Sequence, residues 1–288
     1  MAHPRFLVVE GNVREASEAL EKAGATPFGP LYAATLQALH PGAVCDIVRP
    51  ADPDGTLPSG AALADYDAVA WTGSALNVYD MTPPITRQVD LARAVYDSGV
   101  PFFGSCWALQ VATVAAGGVV RKNPKGRELG IARKITLTEA GRAHPMYAGK
   151  GPVFEAVCIH QDEVETLPDG AVLLASNAVS TVQAAEIRHG RGAFWGIQYH
   201  PEYDLHEIGH ICLRYAERLV DQGWFDSVEA AADFAAKCDA LVADPDGRKD
   251  LRWQLGADED VLDAAIRLRE IRNWIEHRVL PSMAERGR

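Results

Sequence analysis

A thiol, an imidazole and a carboxylate, Cys106, His200 and Glu202, stand where they could act together. Cys106 follows the run Phe102-Phe103-Gly104-Ser105 and precedes Trp107-Ala108-Leu109-Gln110, which continues as an Ala- and Val-rich stretch to Gly117-Gly118. That order reads as a strand, a sharp turn and a helix. A nucleophile on such a turn stands clear of the sheet edge, where the N–H groups opening the helix lower a thiol's pKa and stabilise an anion. His200 ends a second strand-like run, Trp195 to Tyr199, and Glu202 follows after Pro201. A thiol needs a base for its proton, and an imidazole needs a third group to fix its tautomer, so the three could form a triad. The residues alone also allow a plainer arrangement, with Cys106 as buried packing and His200 as a turn residue beside a solvated carboxylate.

The elements around them alternate. Apolar runs at Phe6 to Val9, Val44 to Val48 and Asp67 to Trp71 predict parallel strands, the last ending in Thr72-Gly73-Ser74. Helices are expected from Asn12 and Glu15, in capping-box spacing, to Gly24, from Pro30 to Leu39, and from Pro83-Pro84 to Ser98 with Gly99 as the stop. Such β/α alternation implies a parallel sheet with helices on both faces, and ligands bound beyond the strands' carboxyl ends. After Gly118 come short strand runs at 131–137, 153–159, 172–176, 182–187 and 193–198, with a hairpin signal at His189-Gly190-Arg191-Gly192, so antiparallel strands are expected beside the parallel set.

With 288 residues, the chain is long enough for one large α/β domain plus an appendage. Its 48% hydrophobic and 23% charged residues exclude a disordered chain. The formal charge of -11 argues against nucleic acid or an anionic membrane as partner. No run approaches a membrane span, the first residues lack a secretory pattern, and five scattered cysteines form neither a zinc pattern nor a disulfide framework, so a cytoplasmic protein is expected. Beyond Asp204 the pattern is helical throughout. A helix is expected to Val220, another from the capping box Asp226-Ser227-Val228-Glu229 with apolar positions 228, 231, 235, 238 and 242, and a third marked by Val261, Ala264, Ala265, Leu268, Ile271 and Ile275. The last 44 residues carry nine basic and nine acidic side chains. These helices are expected to pack on the domain or to pair with a second copy, giving a homo-oligomer.

Cys106-Trp107-Ala108-Leu109-Gln110, with His200-Pro201-Glu202 some 94 residues later, resembles the class I (triad) glutamine amidotransferases, and GMP-synthetase-like members in particular. Thr72-Gly73-Ser74 is similar to that family's glycine-rich oxyanion turn, Arg127-Glu128-Leu129-Gly130 to its REYG segment, and Ile159 to Val164 to its SHxDxV segment. The likeness covers residues 66–205. It implies a flavodoxin-like doubly wound sheet, mostly parallel with added antiparallel strands, in a domain over residues 1–222 followed by a helical extension over 223–288.

The resemblance also assigns roles. Cys106 would attack the side-chain amide of glutamine, His200 would carry the proton to the departing ammonia, and Glu202 would orient His200. The N–H groups of Gly73 and Trp107 would form the oxyanion hole. Gln110, Ser74 and His160 would line the substrate site with Glu128 shaping it, and neither metal nor organic cofactor is called for. The implied reaction is hydrolysis of glutamine or another γ-glutamyl amide through a thioester. One alternative is a γ-glutamyl hydrolase or peptidase acting on a larger substrate, and another is a catalytically silent regulatory subunit. No synthetase-sized domain follows, so an ammonia-accepting partner would be a separate protein. Two departures bear on the oxyanion hole: Ala108 stands where most relatives have glycine, and Ser74 replaces a second glycine.

Overall fold

Apolar runs without alternation become the central strands, because both faces of a parallel sheet are covered. The computed structural model describes residues 3–288. Its strands are β1 (Arg5–Val9), β2 (Val44–Val48), β3 (Ala68–Trp71), β4 (Phe102–Ser105), β5 (Val119–Lys122), β6 (Glu128–Leu137), β7 (Val153–His160), β8 (Asp162–Thr166), β9 (Ala171–Ser176), β10 (Ala184–His189) and β11 (Gly192–Ile197). Nine of them form one sheet in the order β2-β1-β3-β4-β11-β10-β9-β6-β7, while β5 and β8 pair separately. The five from β2 to β11 run parallel. From β10 onward each pairing is antiparallel, with His189 opposite Gly192 at the expected hairpin. The flavodoxin-like, mostly parallel reading with antiparallel additions therefore holds.

Two helices cover one face of the parallel strands. These are α3 (Pro83–Ser98) and α4 (Trp107–Ala115), packed on Leu7, Val9, Val69, Trp71 and Phe102. On the opposite face α2 (Phe28–Leu39) is joined by the end of the chain: Ile271, Trp274, Ile275, Val279 and Met283 share a core with Phe6, Val8, Phe103 and Trp195. The Trp274 ring lies 5.9 Å from that of Phe6 and 5.3 Å from that of Phe103. A third core joins α6 (Leu205–Arg214) to α8 (Val228–Ala243). The last apolar stripe is thus spent on the sheet rather than left for a second copy. Among the described residues no helix is long and apolar enough to cross a membrane.

Several local expectations need correction. The first helix, α1 (Arg14–Lys22), has no side-chain cap; Asn12 instead accepts hydrogen bonds from Ser74 Oγ (3.1 Å) and Ala75 N–H (3.0 Å), so its cap-like spacing serves a turn across the sheet. The helix expected to run to Val220 breaks at Tyr215, and α7 (Ala216–Asp221) starts anew. The cap of α8 is Ser227 rather than Asp226, and its buried stripe is Ala231, Ala235, Cys238 and Leu241, leaving Val228 and Val242 exposed. The third tail stripe is broken into Glu259–Leu262, Ala264–Arg267, Arg269–Trp274, a π-helical turn Ile275–Val279, and Leu280–Glu285. Asp258 and Asp263 accept from the N–H groups two residues on, the local bonding that lets aspartate interrupt a helix. A helix at Lys249–Leu255 and the strands β5 and β8 had no clear sequence signal.

The packing of the last helices on the sheet yields a direct test. Replacing Trp274 with alanine should cost about 3–5 kcal/mol in urea unfolding, the usual cost of emptying a large aromatic site. Truncation after Gly223 should strip one face of the sheet and yield insoluble chain. An unchanged unfolding midpoint for Trp274→Ala would contradict this packing.

Candidate active site

The turn carrying Cys106 is set by the pairing of two parallel strands. Gly104 lies opposite Gly196 and Ser105 opposite Ile197, and the Cys106 N–H donates to the Ile197 carbonyl at 2.7 Å. Cys106 takes φ 53° and ψ -99°, a strained region for a side-chain-bearing residue, and α4 begins at the next residue. Gly104 has no alternative here, because an added Cβ would meet Ala108 Cβ at 2.3 Å and the Trp71 carbonyl oxygen at 2.5 Å. Ala108 itself lies inside α4 and has no positive φ, so its methyl does not strain the elbow.

β11 leads directly to His200. His200 Nδ1 is 2.8 Å from Glu202 Oε1, and the other oxygen of Glu202 accepts from Ser105 Oγ at 3.0 Å. Ser105 Oγ is in turn 3.0 Å from the Tyr32 hydroxyl. All four side chains are buried. With Nδ1 facing a carboxylate, the ring proton belongs there and Nε2 is left to accept. The ring stacks on Tyr203 at 4.1 Å and 8°, and the His200 N–H donates to the Val157 carbonyl at 2.8 Å. A Cβ at Gly73 would lie 2.8 Å from His200 Cε1, so glycine lets the Thr72-Gly73-Ser74 turn approach the imidazole.

Cys106 and His200 line one pocket together with Gly73, Ser74, Gln110, His160, Asp162 and Tyr203. Phe28, Leu76, Ile211, Tyr215, Arg218 and Leu219 also line it. The helix N-terminus was expected to draw the thiol pKa down, but the surroundings prevail. Burial pushes Cys106 up to about 12, the carboxylates of Glu202 and Asp162 add to the rise, and the Trp107 N–H and Arg127 only partly oppose it. These surroundings favour the neutral thiol, whose sulfur lies 3.9 Å from the Ile159 carbonyl oxygen. Cys158 and Cys212, the packing cysteines, are also raised by burial.

Other sequence-named residues fall around this centre. Gln110 is buried, with Nε2 3.4 Å from both the Asp162 carbonyl and Gln198 Oε1. Ser74 is turned toward Asn12, and the Trp107 indole donates to Gln88 at 2.7 Å. His160 is held from both sides, Nδ1 3.0 Å from the Asp162 carbonyl and Nε2 2.9 Å from Glu128. Burial would raise the Glu128 pKa, yet hydrogen bonds from His160, Asn177 and Gln183 keep it below its ordinary value. The ring lines the pocket, and the carboxylate holds it from behind.

Sequence reasoning missed residues contributed by the end of the chain. Buried Glu270 pairs with Lys150 at 2.8 Å and accepts from the Tyr199 hydroxyl at 2.7 Å, while Arg267 Nε donates to the Pro201 carbonyl at 3.1 Å. The two residues flanking His200 are therefore both fixed by the extension. The only hint in the sequence was a glutamate between Leu268 and Ile271 in an apolar stripe. Arg127 and Arg218, both donating to Gln161 Oε1 at 2.8 and 2.9 Å, were likewise not singled out as pocket residues.

Comparison with known proteins shows the family and the fold. The family model described as "Glutamine amidotransferase class-I" matches residues 35–216. The chain is 35% identical over 288 residues to a gamma-glutamyl-L-1-hydroxyisopropylamide hydrolase of a Pseudomonas species, covering 96% of this chain and 94% of that one. It is 28% identical over 186 residues to gamma-glutamyl peptidase 3 of Arabidopsis thaliana, covering 63% and 73%. A solved glutamine amidotransferase from Methylobacillus flagellatus superposes with TM-score 0.62 at 19% identity, covering 99% of this chain and 95% of that one, which shows a shared fold.

Two measurements follow from the geometry. Alkylation of Cys106 by iodoacetamide in the free protein should rise about tenfold per pH unit from pH 7 to pH 9, since a raised pKa keeps the thiolate fraction far from saturation. A plateau below pH 8 would contradict the raised pKa. Gly73→Ala should displace the imidazole and lower kcat by about 100-fold on any amide substrate.

Proposed function

The chain belongs to the class I glutamine amidotransferase family, and from that membership we propose that Cys106, His200 and Glu202 carry out hydrolysis of a γ-glutamyl amide with an organic leaving amine. The enzyme is a glutaminase-type amide hydrolase. Cys106 Sγ attacks the amide carbonyl as its proton passes to His200 Nε2, and His200 gives that proton to the leaving nitrogen. The C–N bond breaks, amine departs, and a γ-glutamyl thioester remains on Cys106. Water then attacks the thioester with His200 as base, releasing glutamate and restoring the thiol. Because the resting thiol is neutral, proton transfer accompanies attack and no preformed ion pair is required. The N–H groups of Gly73 and Trp107 are the oxyanion donors, each of a kind worth roughly 3–4 kcal/mol in comparable hydrolases.

The observation that carries this reading is the pocket itself, which thiol and imidazole line together with the apolar side chains of Phe28, Leu76, Ile211 and Leu219. Ammonia would make no use of such a lining; an alkylamine would. The match to the Pseudomonas hydrolase runs over nearly all of both chains and so includes the C-terminal extension. That supports a self-sufficient hydrolase over a glutaminase subunit feeding ammonia to a separate protein. The silent-subunit alternative is disfavoured by the hydrogen-bonded His200–Glu202 pair beside the nucleophile.

Steady-state assay of glutamate release tests the reading. The kcat/KM on γ-glutamyl-hydroxyisopropylamide should exceed that on glutamine by about tenfold or more, from the apolar contact the amine gains. Cys106→Ser should lose activity by about 10⁴-fold. Preference for glutamine would return the ammonia-transfer reading.

A further inference from the structure

Away from the thiol pocket, α6 and α8 bring three metal-ligating side chains to one point. His206 and His210 stand four residues apart on one face of α6, their ring centroids 4.4 Å apart. Asp239 reaches between them from α8, with Oδ1 2.7 Å from His206 Nδ1 and Oδ2 3.0 Å from His210 Nε2. The candidate ligand atoms all lie within 4.8 Å of one another. Donors around a tetrahedral zinc-class ion stand roughly 3.3 Å apart, given bonds of about 2.0–2.2 Å, so a small outward shift of the carboxylate admits one ion.

The support behind the ligands points the same way. His210 Nδ1 donates to the Ala23 carbonyl at 2.7 Å. That bond orients the ring so that Nε2 faces Asp239, where a bound cation would replace the proton that Nε2 now donates to the carboxylate; it is the outer-shell arrangement by which ligating histidines are oriented. Two histidines at i and i+4 on one helix, with a carboxylate from a second element, suit a borderline cation that prefers nitrogen with one oxygen. His206 and Asp239 are about two-fifths exposed, 39% and 42%, which leaves the remaining coordination position to water.

We propose that His206, His210 and Asp239 form a binding site for a divalent transition cation of the zinc class, clamping α8 of the extension onto α6. α6 begins at Leu205, just after the segment carrying His200 and Glu202, and Asp204 caps it by accepting from the Glu207 N–H at 3.0 Å. A cation here braces the joint between the extension and the helix that supports the base, without entering the chemistry.

The test uses full-length untagged protein stripped with a chelator and titrated with Co²⁺ and then Zn²⁺. One equivalent of Co²⁺ should give d–d bands of a nitrogen–oxygen site without thiolate charge transfer, and Zn²⁺ should displace it and raise Tm by about 2 °C or more. His206→Gln, at a half-exposed position, should keep the metal-free Tm while weakening binding about tenfold or more; Asp239→Asn should weaken it similarly. Binding weaker than about 1 mM, unchanged binding in both variants, or a thiolate charge-transfer band that assigns the ion to Cys212 or Cys238 would overturn the proposal.

Discussion

The hydrogen bond from the Cys106 N–H to the Ile197 carbonyl, 2.7 Å, joins the turn that holds the thiol to the strand that delivers the imidazole. Everything at the site depends on this junction of β4 with β11. A residue held at φ 53° costs of order 1–3 kcal/mol, and it persists only where its surroundings over-determine it. Here they do so from several directions: Gly104 fits between Trp71 and Ala108, the Trp107 indole is tied to Gln88, and Ser105 reaches back to Glu202. Ser105 thus couples the two strands a second time, through the carboxylate that orients His200.

The extension is part of the same construction. Arg267 and Glu270 hold Pro201 and Tyr199 on either side of His200, and Trp274 covers the strands beneath. Burying Glu270 would be costly alone, but Lys150 and the Tyr199 hydroxyl share its oxygens. The end of the chain therefore packs on the sheet and holds the backbone on either side of His200. This accounts for a relative similar along nearly its whole length while the family model ends at residue 216.

What the sequence disclosed is what local chemistry dictates. The strand, turn and helix around Cys106, the helix from Pro83 to its Gly99 stop and the hairpin at Gly190 each follow from residues adjacent in the chain. The triad candidates were legible because small residues, a strand end and a paired His and Glu mark them. Long-range partners left no such mark. Asn12 looked like a helix cap because its true partners, Ser74 and Ala75, are distant in sequence. The upward shift of the Cys106 thiol was likewise unreadable, since it arises from burial and from Glu202 and Asp162, which only the fold brings near. The breaks in the tail were missed because apolar periodicity says nothing about aspartates that bond to their own backbone.

In the proposed reaction a γ-glutamyl group passes through the sulfur of Cys106. Rapid acid quench during turnover of a γ-glutamyl alkylamide, followed by peptide mass spectrometry, reads this directly. One γ-glutamyl mass is expected on the peptide carrying Cys106, absent without substrate and discharged as substrate is exhausted. Glutamate release at an undiminished rate with Cys106 replaced by serine, or the acyl mass on any other residue, would contradict it.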